Sequence, residues 1–96
     1  MGYVYAIMAP ELKRVKIGRC DSEASFLSRF LHFQCGSPCE LFIHSVVEHE
    51  NYRLIEKRIH KRLKSARVHG EWFDITDPKV DRWLAHRESI EDPPWL

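Results

Sequence analysis

The sequence predicts one small α+β domain, in which an antiparallel sheet of three short strands is flanked by helices. The chain has 96 residues, enough for one hydrophobic core but too few for two. Its residues are 44% hydrophobic and 30% charged, a balance typical of a folded globular domain. Segments with the alternating pattern of strands stand beside segments with helical spacing. The predicted order of elements is β-β-α-β-α-α.

Two of the strands are expected near the N-terminus. Residues 3–7 are rich in aromatic and β-branched side chains, and residues 14–19 alternate polar with apolar side chains. The short link between them favours an antiparallel hairpin. Gly18 interrupts the second strand, where a glycine often marks a bulge or a close approach to the backbone. Residues 41–47 form an apolar, β-branched run that predicts the third strand.

The first two helices follow from capping residues and apolar spacing. Asp21 and Ser22 both offer an N-cap for a helix over residues 22–32. A second helix is expected over residues 52–65, with an apolar stripe that begins at Ile55 and repeats every four residues.

The third helix is predicted to begin at Asp77 and Pro78, a capping residue followed by proline at the first helical position. It would cover the sheet and end in a proline-containing tail. We expect a single domain over residues 1–96, with a motif-bearing core over residues 2–75 and the covering helix and tail over residues 77–96.

Composition excludes several classes of protein. No apolar run reaches the ~18 residues that a membrane span needs, and the first residues lack the basic lead and apolar stretch of a signal peptide. We therefore expect an intracellular, cytoplasmic protein with no membrane partner. Three cysteines, Cys20, Cys35 and Cys39, cannot all pair within the chain, so free thiols are expected.

The charge distribution indicates a nucleic-acid partner. The net charge is only +1, yet residues 53–67 carry many cations and one acid, Glu56. One basic face on a nearly neutral protein is typical of contact with a phosphate backbone, although a solvated helix face has the same composition. We expect DNA as the partner. The candidate nucleic-acid contacts are Arg19, Arg53, Lys57, Arg58, Lys61, Lys64 and Arg67.

Several residues could together support cleavage of a phosphodiester. The reaction needs an oriented water, a divalent cation and a donor that stabilises the transition-state oxygens. Tyr5, Arg29 and Glu56 could provide these functions, and Glu56 lies beside the apolar stripe of the second helix. Each also has a structural interpretation: a tyrosine that packs on a strand, a surface arginine, and a glutamate paired with Arg53 or His60.

Short motifs in the same order resemble those of the GIY-YIG nuclease superfamily. Tyr3-Val4-Tyr5 is similar to the first half of that signature, and Lys16-Ile17-Gly18 to the second. The stretch from Glu56 to Leu63 and then Gly70-Glu71-Trp72-Phe73 resemble a small phage and bacterial branch with "KIG" and "GEWF" motifs. The resemblance covers about residues 2–75.

The resemblance implies a metal-dependent DNA endonuclease with one Mg²⁺ or Mn²⁺ ion. Glu56 would be the metal ligand, with nearby cations favouring its ionised form. Tyr5 would position the attacking water, Arg29 would support the phosphate, and Lys16 would occupy the place of the second tyrosine. His60 and Glu71 are additional candidates for catalysis. Four residues have structural roles in the motifs: Gly18, Gly70, Trp72 and Phe73.

The sequence departs from the family pattern in three places. Tyr3 stands where the first motif has glycine, and Lys16 stands where the second has tyrosine. The family's late asparagine has no match, because Asn51 is the only asparagine. The second and third departures favour an alternative function. The alternative is a catalytically weak or inactive module that binds nucleic acid or a protein partner. The oligomeric state stays open, with a homodimer as one option.

A second group of residues has the composition of a zinc site. Its members are His32, Cys35, Cys39 and His44, and a Cys-x3-Cys spacing is compatible with zinc. The stretch lacks a second cysteine pair, however, and His44 falls within the third predicted strand. A structural zinc ion is therefore not expected.

Overall fold

The computed structural model describes residues 1–85, so the remainder of the segment predicted as covering helix and tail, residues 86–96, lies outside the described residues. The chain begins with an antiparallel hairpin of β1 (Gly2–Ala9) and β2 (Arg14–Cys20). A single 3-10 turn over Pro10–Leu12 joins the strands, and Lys13 closes it in a left-handed conformation with φ 54°. The hairpin was correctly predicted from the alternating pattern.

The α+β class is confirmed, but the sheet within residues 1–85 has five strands and not three. Besides β1 and β2 it contains β3 (Phe42–His49), β4 (Arg67–His69) and β5 (Trp72–Asp74). The strand order is β3-β1-β2-β5-β4, and every neighbouring pair is antiparallel. The β4–β5 hairpin was missed because three residues are too few for an alternating pattern to be recognised.

The described residues form three α-helices, α1 (Glu23–Cys35), α2 (Tyr52–Arg62) and α3 (Pro78–Ala85). Ser22 is the N-cap of α1, since its hydroxyl accepts a hydrogen bond from the Ser25 amide at 3.1 Å. The first helix is three residues longer at its C-terminal end than predicted. The second is shorter, because a 3-10 turn follows it over Lys64–Ala66. No helix in the described part of the chain is long and apolar enough to cross a membrane.

The sheet separates two apolar clusters. On one face, Val4, Ala6 and Ile17 pack with buried side chains of α2 and α3, among them the fully buried Trp83. On the other face, Tyr5 and Ile7 pack beneath α1 around Phe26. The three cysteines are free thiols, with Cys20 and Cys39 buried and Cys35 exposed. The alternation of β1 thus decides which layer each side chain joins, and Tyr5 belongs to the α1 layer.

Candidate active site

Because β5 begins only at Trp72, the last part of β2 has no neighbouring strand on that side within residues 1–85. The two strands pair from Arg14 to Lys16, and the last backbone bond runs from the Ile17 amide to the Glu71 carbonyl at 3.0 Å. From Gly18 to Cys20, β2 pairs with β1 but with no other strand of residues 1–85. Side chains from both faces of the sheet can therefore meet at this open edge.

An open cavity of about 690 Å³ lies at this edge. Residues of α1, α2, the end of β2 and the β4–β5 hairpin contribute to its wall. Four arginines and three carboxylates line it, together with His60, so cationic and anionic groups are both concentrated there. The lining residues are Arg19, Cys20, Asp21, Arg29, Tyr52, Arg53, Glu56, His60, Arg67, Gly70 and Glu71.

Three side chains in the cavity could share a metal ion. Glu56 and His60 lie one turn apart on α2, and Glu71 comes from the turn before β5. One ligand atom of each lies within 4.8 Å of the other two, and they form the one such group found among residues 1–85. Two carboxylates and an imidazole are a suitable donor set for a divalent cation.

The ring of His60 is oriented by the backbone of β2. Its Nε2 lies 2.7 Å from the carbonyl oxygen of Ile17, so this nitrogen carries the proton and donates a hydrogen bond to that oxygen. The ring edge also packs against Phe73, with ring centroids 5.0 Å apart. In the neutral ring Nδ1 then keeps its lone pair for a metal ion. A hydrogen bond to a backbone carbonyl is a common way to fix the orientation of an imidazole that binds a metal.

The pKa of Glu56 is raised above its ordinary value of 4.5, chiefly because the carboxyl is buried and also because Glu71 is close. His60 and Arg19 oppose the shift but do not reverse it. The nearby cations do favour the ionised form, as expected, but they do not decide the direction of the shift in the pKa of Glu56. Burial next to a second carboxylate outweighs the cations, and a bound divalent cation would relieve both effects.

Tyr5 lies behind the wall of the cavity, with its hydroxyl directed at the open edge. Its ring packs over Gly18, where a Cβ atom would come within 2.6 Å of Tyr5 Cζ and 3.0 Å of Glu71 Oε1. Burial and the nearby Glu71 raise the pKa of Tyr5 to about 12, although a hydrogen bond with Arg29 opposes this. Tyr5 therefore stays a phenol near neutral pH, so its O–H group is able to donate a hydrogen bond to a ligand.

Arg29 connects α1 to the end of β2. Its guanidinium donates a hydrogen bond to the carbonyl oxygen of Arg19 at 2.8 Å and also contacts the Tyr5 hydroxyl. The side chain remains exposed on the cavity side. Arg29 is thus held in place while its positive charge is available to an anionic ligand.

Lys16 does not line this cavity, which corrects its predicted place beside Tyr5, Arg29 and Glu56. Its ammonium lies over the Phe33 ring, 4.6 Å from the centroid, and 3.4 Å from Glu71 Oε1. Lys16 precedes Gly18 by two residues on the same face of β2, and β5 covers it because Lys16 pairs with Trp72. It contacts the site only through Glu71.

The predicted nucleic-acid contacts fall into two groups. Arg19, Arg53 and Arg67 line the cavity. Four others are exposed but are not part of its wall: Lys57, Arg58, Lys61 and Lys64.

The glycine and aromatic residues of the last motif have structural positions. Gly70 forms the β4–β5 turn with φ +56°, a conformation that favours glycine. Phe73 is fully buried in the α2 layer, and Trp72 is half-buried on the α1 side. In this motif the aromatic residues therefore close the core, and Glu71 pairs with Lys16.

Sequence patterns did not identify three residues of the cavity wall, Cys20, Asp21 and Tyr52. The Tyr52 ring packs against Gly2, where a Cβ atom would come within 2.5 Å of Tyr52 Cε1. Tyr52 also accepts a hydrogen bond from Arg53 Nε at 3.1 Å. No short motif links Gly2 to Tyr52, since only the packing of α2 on β1 brings them together.

Comparison with known families corrects the assignment made from the motifs. A T5orf172 domain matches residues 2–88 and so covers all the motif residues. This match replaces membership of the GIY-YIG nuclease superfamily, which is wrong on this finding. The strand motifs Tyr3-Val4-Tyr5 and Lys16-Ile17-Gly18 are too short to identify a family, since strand packing alone accounts for much of their composition. The chain matches no curated protein and no solved structure. The match spans most of the chain, which therefore belongs to the T5orf172 domain family.

Proposed function

We propose that the protein is a divalent-metal-dependent endonuclease that hydrolyses phosphodiester bonds in DNA at the open edge of β2. The observation that carries the proposal is the meeting of Glu56, His60 and Glu71 within 4.8 Å in a cavity that also contains four arginines. Carboxylate and imidazole ligands suit a cation, and arginines suit a phosphate.

The cation would be held by Glu56, His60 and Glu71. When bound, it would neutralise charge on the phosphate and lower the pKa of a coordinated water. Ligand atoms up to 4.8 Å apart must move closer to share one ion, and the half-exposed Glu71 is the one with room to move. Mg²⁺ and Mn²⁺ are the ions to test, because carboxylates dominate the donor set.

The other side chains would orient the substrate. Arg29 and Arg19 would hold the non-bridging oxygens of the phosphate, where negative charge develops in the transition state. Tyr5 would donate a hydrogen bond and align the attacking water, since its pKa of about 12 excludes it as a base near neutral pH. The water oxygen forms a bond to phosphorus as the ester P–O bond breaks. Glu71 would accept the water proton, and the leaving oxygen would take a proton from solvent.

The test compares Glu56→Gln with Glu40→Gln, which alters an exposed carboxylate outside the cavity. Supercoiled, branched and single-stranded DNA would be incubated with each protein in Mg²⁺, Mn²⁺ or EDTA. We expect metal-dependent cleavage by the wild type and by Glu40→Gln, and a loss of about a hundredfold or more in Glu56→Gln. Mn²⁺ affinity, measured by electron paramagnetic resonance, should fall in the same variant. Wild-type cleavage by Glu56→Gln would contradict the proposal.

A non-catalytic DNA-binding module is the second candidate, and two observations favour it. Lys16 already pairs with Glu71 at 3.4 Å, and burial raises the pKa of Glu56. Both disfavour a cation. If the wild type binds DNA but neither binds Mn²⁺ nor cuts, this second function is the correct one.

A further inference from the structure

A second groove, of about 410 Å³, lies on the α1 side of the sheet. It has aromatic walls from Phe33 on α1 and Trp72 on β5, both half-buried. Basic or titratable side chains surround these rings, so the groove combines flat apolar surface with positive charge. They are Arg14, Lys16, His32 and His69.

The ammonium of Lys16 is the central polar group of this groove. It lies 4.6 Å from the Phe33 centroid and 5.4 Å from that of Trp72, and its side chain is only 13% exposed. An ammonium has three donors, and one carboxylate, that of Glu71, lies 3.4 Å away. Lys16 can therefore still donate to a ligand that enters between the rings and the solvent.

Aromatic walls with a nearby donor suit a nucleobase. A base has a π-face that stacks on Phe or Trp, and its edge carries carbonyl and ring-nitrogen acceptors. A base inside a duplex has neither face nor pairing edge free, whereas an unpaired base has both. The positive charge also favours a ligand attached to phosphates.

The groove adjoins the candidate active site through the contact between Lys16 and Glu71. The Glu71 side chain lines the first cavity and contacts Lys16 in the second, and the next residue, Trp72, lines the groove. We propose that the groove binds an unpaired base of the strand whose phosphate lies in the candidate active site. The proposal rests on the proposed function, and it assigns the substrate class as single-stranded or branched DNA.

The test uses Phe33→Leu, which removes the ring and keeps an apolar side chain. Phe42→Leu is the matched control, because Phe42 is half-exposed on β3 at the opposite edge of the sheet. Binding of a fluorescent 12-nucleotide oligothymidine and of a duplex of equal length would be followed by anisotropy in EDTA. We expect Phe33→Leu to weaken single-strand binding roughly five- to a hundredfold, with less than a twofold change for the duplex. Phe42→Leu should match the wild type for both.

A second measurement does not depend on the fold of Phe33→Leu. Stacking of a base on Trp72 should quench tryptophan fluorescence when the wild type is titrated with oligothymidine. Trp72→Phe should retain binding within a fewfold and lose most of the quenching. Quenching that persists in Trp72→Phe would overturn the assignment.

Other outcomes separate the two proposals. Unchanged single-strand affinity in Phe33→Leu, or equal losses for single strand and duplex, would overturn the base site while leaving the cleavage test unaffected. Loss of single-strand binding in Phe33→Leu without cleavage by the wild type would support the base site and contradict the proposed function. If deoxyadenosine monophosphate binds as tightly as the oligonucleotide and in a Phe33-dependent way, the groove is a free-nucleotide site and the strand proposal fails.

Discussion

Replacing Gly18 with alanine should destabilise the fold and displace Tyr5 from the candidate active site. Gly18 pairs with Tyr5 across the β1–β2 ladder. An added Cβ atom would come within 2.6 Å of Tyr5 Cζ and 3.0 Å of Glu71 Oε1. The Tyr5 ring cannot move away freely, because Phe26 packs on it with centroids 5.2 Å apart.

The expected loss of stability follows from the overpacking of a buried site. Such insertions cost about 1–3 kcal/mol, and a domain of this size loses roughly 4–8 °C in melting temperature per kcal/mol. We therefore expect Gly18→Ala to melt roughly 4–24 °C below the wild type. The clash involves a rigid buried ring and not the flexible end of a side chain, so the upper half of that range is expected.

Thermal unfolding followed by circular dichroism at pH 7 would measure the effect. Gly36→Ala is the control, because a Cβ atom there has its nearest neighbour at 3.7 Å and should change stability by less than about 0.5 kcal/mol. In a Tyr5→Leu background the alanine at position 18 should cost less, with a coupling energy of about 0.5–3 kcal/mol. Equal stability of Gly18→Ala and the wild type, or an equal loss in both backgrounds, would refute the packing argument.

Three further predictions follow from burial and charge. The raised pKa of Glu56 means that folding favours the protonated carboxyl, so the stability that this carboxyl contributes below about pH 4.5 is lost as pH rises through the raised pKa of the folded protein. Glu56→Gln should therefore have a higher melting temperature than the wild type at pH 7 in EDTA. Equal melting temperatures at pH 7 would contradict this. Arg67→Ala, which alters the cavity wall, should reduce the slope of log binding constant against log salt concentration for DNA by about 0.9. Arg58→Ala should change this slope less. Equal slopes for the two variants would place the phosphate outside the cavity. When the thiols of the native protein are titrated with a thiol reagent, the exposed Cys35 should react first. Cys20 should react slowly, because burial raises the pKa of its thiol. Equally rapid reaction of both thiols would contradict the burial of Cys20 beneath α1.

The sequence was informative where elements are long enough to show a period. The alternation in β1 and β2 correctly predicted the hairpin, and the apolar stripe of α2 correctly placed Glu56 beside the buried face of that helix. The hairpin of β4 and β5 has three residues in each strand, and its turn depends on the positive φ of Gly70. Such short pairing depends on tertiary contacts and leaves no periodic signal.

Lys16 shows why the predicted site differed from the observed cavity. Lys16 and Gly18 point to the same face of β2, so the sequence alone could not separate them. Lys16 pairs with Trp72 and so lies beside β5, whereas Gly18 pairs only with β1 among the strands of residues 1–85. Knowledge of β5 was needed to exclude Lys16 from the cavity and to bring Glu71 into it.

The length of β5 therefore decides whether the site exists. Two more paired residues on β5 would bring a backbone alongside Gly18 and close the edge where α1 and α2 side chains meet. The turn at Gly70 prevents this by directing the chain away toward β4, directly before Glu71. The same turn leaves the Glu71 side chain at the edge, in reach of both Lys16 and the Glu56–His60 pair. Replacing Gly70 with a β-branched residue, for which the left-handed conformation is unfavourable, should therefore disturb the active-site cavity and the groove together. Glu71 is the side chain that contacts both.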